Sequence, residues 1–180
     1  MEKTGTKLEN NNIILRKPEP EDLEFLFSLE NNPKYWFISD TRTPFSKWQI
    51  KQHIENSVYD IFTNKELRLI IEQISNKKQI GIIDLFEFEP IHERAGIGIV
   101  INEGFQHKTY ASQALSIIID YSFNILNLNQ IWCNIDVDNS VSIKLFTNKG
   151  FINCGRLKAW KKKDKSYSDI LVFQLIKSTK

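Results

Sequence analysis

A short polar loop carrying His107 and Lys108 separates two apolar runs, RAGIGIVI at 94–101 and ASQALSIIIDYSFNIL at 111–126. Where a strand hands over to a helix across such a loop, the helix presents unpaired N–H groups and the positive end of its dipole, and these attract phosphate. The stretch Gln106, His107, Lys108, Thr109, Tyr110, Ala111 is therefore a candidate anion site built from main chain, and Lys108 can add a point charge. Other chemistries lack their residues. His53, His92 and His107 stand in polar contexts without a cysteine or acid at ligand spacing, so no metal is expected. His107 reads as a solvated side chain rather than a base. No serine has the context of a hydrolase nucleophile, and the Gly-x-x-x-x-Gly-Lys-Ser/Thr run of a nucleotide-binding loop is absent.

The elements that must hold this loop follow from periodicity. NIILRK (12–17) reads as a strand. PEPEDLEFLFSLEN then opens with proline and acids, as helices do, and places Leu23, Leu26 and Phe27 at helical spacing. Pro33 is expected to end that helix and to leave YWFISDTRTPF (35–45) as an aromatic loop. Ser46 can cap a second helix carrying Ile50, Ile54 and Val58 on one stripe. From 66 the pattern changes to a hairpin, ELRLIIEQI and QIGIIDLFEFE around the turn SNKK, followed by the strand 94–101. After the helix from 111, QIWCNIDV (130–137) is a buried strand. NSVSIKLFTNKG (139–150) is a helix with Asn139 or Ser140 at its cap and Gly150 at its stop. FINCGRLKAW and YSDILVFQLI close the chain as two strands around a lysine-rich tip expected to be solvated. Strand, loop, helix and strand from 94 to 137 make a crossover that favours parallel neighbours, with a ligand site at the strand's carboxyl end.

Composition bounds the rest. The 180 residues, 41% of them apolar, can bury a core, and residues 1–11 are polar and expected to be mobile. A net charge of +2 gives no reason to expect nucleic acid. Cys133 and Cys154 make neither a metal spacing nor a disulfide framework and read as buried free thiols of a reducing compartment. No basic-then-apolar leader opens the chain and no apolar run approaches the ~18 residues of a membrane span, so a cytoplasmic protein with no membrane partner is expected.

Three segments resemble the GNAT superfamily of acetyl-CoA-dependent N-acetyltransferases: ILRKPEPEDLEFLFSLENN, IHERAGIGIVINEGFQHKTYASQAL and NIDVDNSVSIKLFTNKGF. The likeness runs from about Ile13 to Ile176 and is nearest the bacterial spermidine/diamine and the ribosomal-protein N-terminal acetyltransferase branches. It implies one GNAT domain over residues 1–180, of α+β (α/β) class. A central mixed, splayed sheet of about seven strands would be flanked by about four helices. It further implies acetyl-CoA as co-substrate, no metal, and acetyl transfer to a primary amine by direct attack through a tetrahedral intermediate. The acceptor would be a polyamine or diamine, another small amine, or a protein N-terminus, and the chain can be a homo-oligomer.

The family's diphosphate loop reads Gln/Arg-x-x-Gly-x-Gly/Ala. Gln106 and Ala111 match it, while Thr109 stands where the family has glycine, crowding the ligand or offering it a hydroxyl. By the same resemblance Ile99, Val100 and Ile101 pair with the pantetheine arm as with a guest strand, and Asn139 reaches the arm or the substrate beyond it. The tyrosine that serves many relatives as general acid is Phe146 here; Ser142, a helical turn upstream, is a substitute donor. The strand acids Asp84 and Glu87 are the candidate bases, acting through water. Their odd spacing sends them to opposite faces of a regular strand unless a bulge intervenes. A polyamine calls for a carboxylate-lined groove, to which Glu24, Glu30, Asp40, Glu87, Glu89 and Glu93 can contribute. Tyr35, Trp36 and Phe37 are either a loop anchor or a substrate wall. Thr109 and Phe146 also admit a second reading, a catalytically weak acyl-CoA-binding module or sensor.

Overall fold

The computed structural model describes residues 8–39 and 41–178. Seven strands form one sheet in the order β1-β2-β3-β4-β5-β7-β6. They are β1 (Ile13–Arg16), β2 (Leu67–Gln73), β3 (Gln79–Glu89), β4 (Arg94–Ile101), β5 (Gln130–Asp136), β6 (Ile152–Lys163) and β7 (Ser166–Ile176). Every neighbouring pair is antiparallel except β4 and β5, which the crossover helix α5 (Tyr110–Asn124) joins in parallel. This is the mixed α+β sheet that the GNAT resemblance implies.

The sheet carries apolar layers on both faces. On one face α5 and α6 (Ser140–Thr147) pack through Leu115, Ile118 and Phe146 onto Leu69, Ile71, Ile83, Leu85, Ile97 and Ile131. On the other, α1 (Leu23–Glu30) and α3 (Lys47–Asn56) pack through Leu26, Leu29, Ile50 and Ile54 onto Ile70 and Ile82. The unbroken run Leu69-Ile70-Ile71 thus feeds both layers in turn, as a central strand buried on both sides requires.

Among the described residues there are six helices rather than four. Pro33 does not open a loop: it begins α2 (Pro33–Ser39), where its missing N–H costs nothing, and Asn32 accepts from the N–H of Lys34 at 3.1 Å and of Tyr35 at 3.0 Å. The helix capped by Ser46 stops at Asn56, leaving Val58 exposed. Asp60 then caps a separate turn, α4 (Ile61–Asn64), that buries Ile61. Asp40 and residues 1–7 lie outside the described residues. From Leu8 on, the amino-terminal segment turns back on β1, the N–H of Leu15 donating to the Leu8 carbonyl at 2.7 Å. Only one cysteine is buried as expected. Burial pushes the Cys133 thiol up to about 12, whereas Cys154 is exposed because the β6–β7 register slips between Asn153 and Gly155 and turns it outward.

One close contact ties the centre of the sheet together. The Phe86 ring lies across Gly96 and meets Trp132 edge-on at 5.4 Å. A Cβ on Gly96 would fall 2.3 Å from Phe86 Cε2. Gly96→Ala is therefore expected to cost about 1–3 kcal/mol in denaturant unfolding. In a Phe86→Ala background the same substitution should cost much less, because the obstructing ring is gone.

Candidate active site

β4 and β5 run together only briefly. Their register covers Arg94–Gly96 against Gln130–Trp132 and then ends, while β4 stays paired to β3 as far as Ile101 and β5 stays paired to β7 as far as Asp136. The inner edges of both strands therefore part beyond Gly96 and Trp132, and the backbone of Ile97 to Ile101 faces a gap rather than a strand. Ile99, Val100 and Ile101 line that edge, Ile99 and Ile101 toward α5 and Val100 toward α1 and α3. The Ile101 carbonyl, at the end of the strand, accepts from Gln106 Nε2 at 2.9 Å and from Tyr35 Oη at 3.3 Å. Burial, then the charge of Glu103, raises the Tyr35 phenol above its ordinary value, so it remains a donor.

The loop that follows turns twice through left-handed backbone, at His107 (φ 60°) and Thr109 (φ 63°). Such angles suit glycine and strain a β-branched residue, which accounts for glycine in the family's pattern at the place Thr109 occupies. The turns have a consequence for the donors. Among the described residues, no main-chain or side-chain acceptor takes the N–H groups of His107, Lys108, Thr109, Tyr110, Ala111 or Ser112, whereas Gln106 N–H bonds back to Glu103 and Gln113 N–H to Thr109. A row of free donors at the head of a long helix can hold an anion such as a diphosphate. Lys108 Nζ donates to the Gly104 carbonyl at 3.1 Å and lies 5.5 Å from the Phe105 ring centroid; Lys78 sits 5.0 Å from the same ring and adds a second cation. His107 is exposed. Tyr110 Oη is tied to Gln73 Nε2 at 2.7 Å, which fixes the first turn of α5 to the end of β2.

On the face toward α1 and α3, cross-strand partners bring Asp84 opposite Gly98 and Phe86 opposite Gly96. Both Asp84 oxygens accept from Arg68, Nε and Nη2 each at 2.9 Å, and Arg68 Nη1 reaches Glu30 at 2.5 Å. Burial opposes the Arg68 charge, but Asp84 and then Glu30 outweigh it and hold the guanidinium's proton more tightly than usual. Glu87 sits in a bulge of β3 with φ 48°, and the β3–β4 register breaks between Phe86 and Glu89. The bulge puts Glu87 beside Trp132 and Gln174 in a cavity of about 500 Å³ that Glu89 and Arg94 also line. Asp84 and Glu87 thus reach the same side of the sheet despite their odd spacing.

Across the gap, Asn139 caps α6, its Oδ1 accepting from Ser142 N–H at 3.1 Å, which leaves its amide N–H₂ and the Ser142 hydroxyl as donors. Phe146 is buried edge-on against Phe151 at 5.0 Å. Two contributors escaped the sequence reading. Arg68, paired with residues far away in the chain, has no local signature. Asp136, at the end of β5, accepts from Asp138 N–H at 2.9 Å through Oδ1 but leaves Oδ2 buried without a partner among the described residues. The aromatic segment holds to the strands: besides the Tyr35 bond, Lys161 of β6 donates to the Phe37 carbonyl at 2.9 Å.

Residues 12–152 match the family described as Acetyltransferase (GNAT) domain. The chain belongs to the GNAT acetyltransferases. It is 32% identical over 151 residues to spermidine N(1)-acetyltransferase of Vibrio cholerae, covering 82% of this chain and 83% of the relative. It is 27% identical over 177 residues to the uncharacterized N-acetyltransferase YoaA of Bacillus subtilis, covering 94% and 96%. The crystal structure of the Vibrio cholerae spermidine N-acetyltransferase with CoA and spermine superposes with a TM-score of 0.82 at 29% identity over 93% of this chain and 96% of that one. This GNAT enzyme is thus an acetyl-CoA-dependent N-acetyltransferase, and its free N–H row and strand gap suit the diphosphate and amide-bearing arm of coenzyme A. Among the described residues no group of metal-ligating side chains forms, and no helix is long and apolar enough to cross a membrane.

Arg68 is the cation shared by Glu30 and Asp84 on the face toward α1 and α3. Arg68→Met should lower unfolding stability by on the order of 3 kcal/mol, because Glu30 and Asp84 would be left facing each other without a cation. Arg68→Met combined with Glu30→Gln and Asp84→Asn should recover most of that loss in the same denaturation assay.

Proposed function

We propose that this GNAT enzyme acetylates a small polycationic amine of the spermidine class. The free N–H groups between His107 and Ser112 hold the diphosphate of acetyl-CoA, and the edge of Ile99, Val100 and Ile101 pairs with the pantetheine arm. The observation that carries the reading is the conjunction of that donor row with a gap that opens at the same strand end. The thioester then reaches the region of Gly98, where Asp84, Phe86 and Trp132 share one face of the sheet. The choice of acceptor is supported by the spermidine acetyltransferases among the relatives and by the carboxylates of Glu87 and Glu89 beside the Trp132 ring, which suit an ammonium group. A protein N-terminus has no comparable support. Self-association is an extension of the same reading, since a Vibrio cholerae spermidine acetyltransferase with a TM-score of 0.78 to this chain is dodecameric.

The reaction asks little of the protein. The ammonium gives up a proton, through water, to a carboxylate of Asp84 or Glu87. The amine nitrogen attacks the thioester carbonyl, a C–N bond forms, and the C–S bond breaks with its electron pair leaving on sulfur. The second proton, shed by the nitrogen once it has attacked, passes to the thiolate through water or across the Ser142 hydroxyl, which gives one proton as it receives another, so the one proton released overall is the one taken by the carboxylate. A thiol titrates near ~8.5, so a phenolic acid at position 146 is dispensable. The buried Phe146 serves the core instead and need not signal lost turnover.

Acetyl-CoA turnover with spermidine, spermine, aminoglycosides and peptide N-termini, followed as free thiol, tests the reading. Saturable release is expected with the polyamines. Glu87→Gln or Asp84→Asn, whichever removes the base, should lower kcat/KM by roughly 100-fold. No release above hydrolysis with any polyamine would overturn the assignment of acceptor.

A further inference from the structure

Thr109 occupies the strained position where the family has glycine, and a chain of amides determines what its hydroxyl can do. The chain starts in the amino-terminal turn. Asn10 Oδ1 accepts two main-chain N–H groups, from Asn12 at 2.8 Å and from Ile13 at 3.0 Å. Its other end, Nδ2, can only donate, and it donates to Gln113 Oε1 at 3.0 Å. Asn12 Nδ2 donates to the same oxygen at 3.1 Å. With Oε1 facing two donors, Gln113 must turn its Nε2 toward Thr109, where it donates to Oγ1 at 3.0 Å. The main chain repeats the link, Gln113 N–H donating to the Thr109 carbonyl at 3.0 Å. Thr109 Oγ1 is thereby an acceptor from within the protein, and its own O–H proton has no acceptor among the described residues.

We propose that Thr109 is a coenzyme A ligand of this enzyme, donating its hydroxyl proton to a diphosphate oxygen alongside the free main-chain N–H groups. Gln113, Asn10 and Asn12 act as positioning residues that orient that proton outward. The geometry makes the inference specific to this chain. A glycine would relieve the left-handed strain at φ 63° but could not supply the donor, and without the relay the hydroxyl could satisfy itself on the Gln113 side chain instead. The relay also reaches from the head of α5 to the turn that precedes β1, Gln113 lying 103 residues from Asn10 and 101 from Asn12, so the amino-terminal segment helps set the affinity of a loop distant in sequence. The inference rests on the reading of this loop as the diphosphate site.

Calorimetric titration of the full-length enzyme with coenzyme A tests it. The same proteins should be assayed with S-acetyl-pantetheine, a donor that lacks the diphosphate. Thr109→Val, which keeps the shape and deletes the hydroxyl, should weaken coenzyme A binding at least about tenfold, as expected for a hydrogen bond to a charged group. Its KM for S-acetyl-pantetheine should stay within about twofold of the parent's. Thr109→Ser should bind as the parent does. Gln113→Leu should weaken coenzyme A by several-fold, and adding it to Thr109→Val should cause no further loss, because both act through one proton. Parent-like coenzyme A affinity in Thr109→Val would overturn the proposal, as would additive losses in the double variant or equal losses for both donors. A parent enzyme with no affinity for coenzyme A would instead remove the site reading on which the proposal stands.

Discussion

The structure depends on backbone groups that one strand does not share with the next. The first N–H groups of any helix lack an intrahelical acceptor, and here the loop before α5 lengthens that row of open donors. Here β4 abandons β5 after Gly96, and the chain then makes two left-handed turns so that donors from His107 to Ser112 all stay free. The surroundings hold the left-handed loop that lines these donors up. Gln106 and Tyr35 both fasten the carbonyl of Ile101, Tyr110 is tied to Gln73, and α5 buries Ala114, Leu115, Ile117 and Ile118. The strain at Thr109, of order 1–3 kcal/mol for such backbone, is carried by that packing.

The two faces of the sheet divide the labour. The α5 and α6 face is a continuous apolar core with Phe146 and Phe151 inside it, and it supports the helix whose amino end carries the free N–H groups. The α1 and α3 face is polar near the gap, with Arg68 held between Asp84 and Glu30 and with Glu87 lifted by a bulge toward Trp132. The far side of the gap therefore presents carboxylates and aromatic rings, the surroundings that an ammonium group prefers. The Phe86 ring, seated on Gly96, marks the point where pairing stops and the gap begins.

Much of this was legible from residues close in sequence. The run from Arg94 to Ile125 announced a strand, a polar loop and a helix because its period changes over a few residues, and the Ser46 and Asn139 caps were readable for the same local reason. What escaped was non-local or depended on irregular backbone. Pro33 ends one helix and starts another, and only the Asn32 cap, seen in three dimensions, distinguishes that from a loop. Glu87 reaches the face of Asp84 through a bulge that no alternation pattern encodes, and Cys154 is turned outward by another. Arg68 looks like an ordinary strand residue until Glu30 arrives from α1. The relay through Asn10 and Gln113 joins polar residues that carry no motif.

The central claim concerns particular main-chain hydrogens, and amide NMR observes them individually. Titrating coenzyme A into isotopically labelled enzyme should move the N–H resonances of His107 to Ser112 downfield together along one saturable curve, while pantetheine leaves them in place. If coenzyme A saturates the protein and those resonances do not respond, the donors at the head of α5 are not its anchor and this account of the site is wrong.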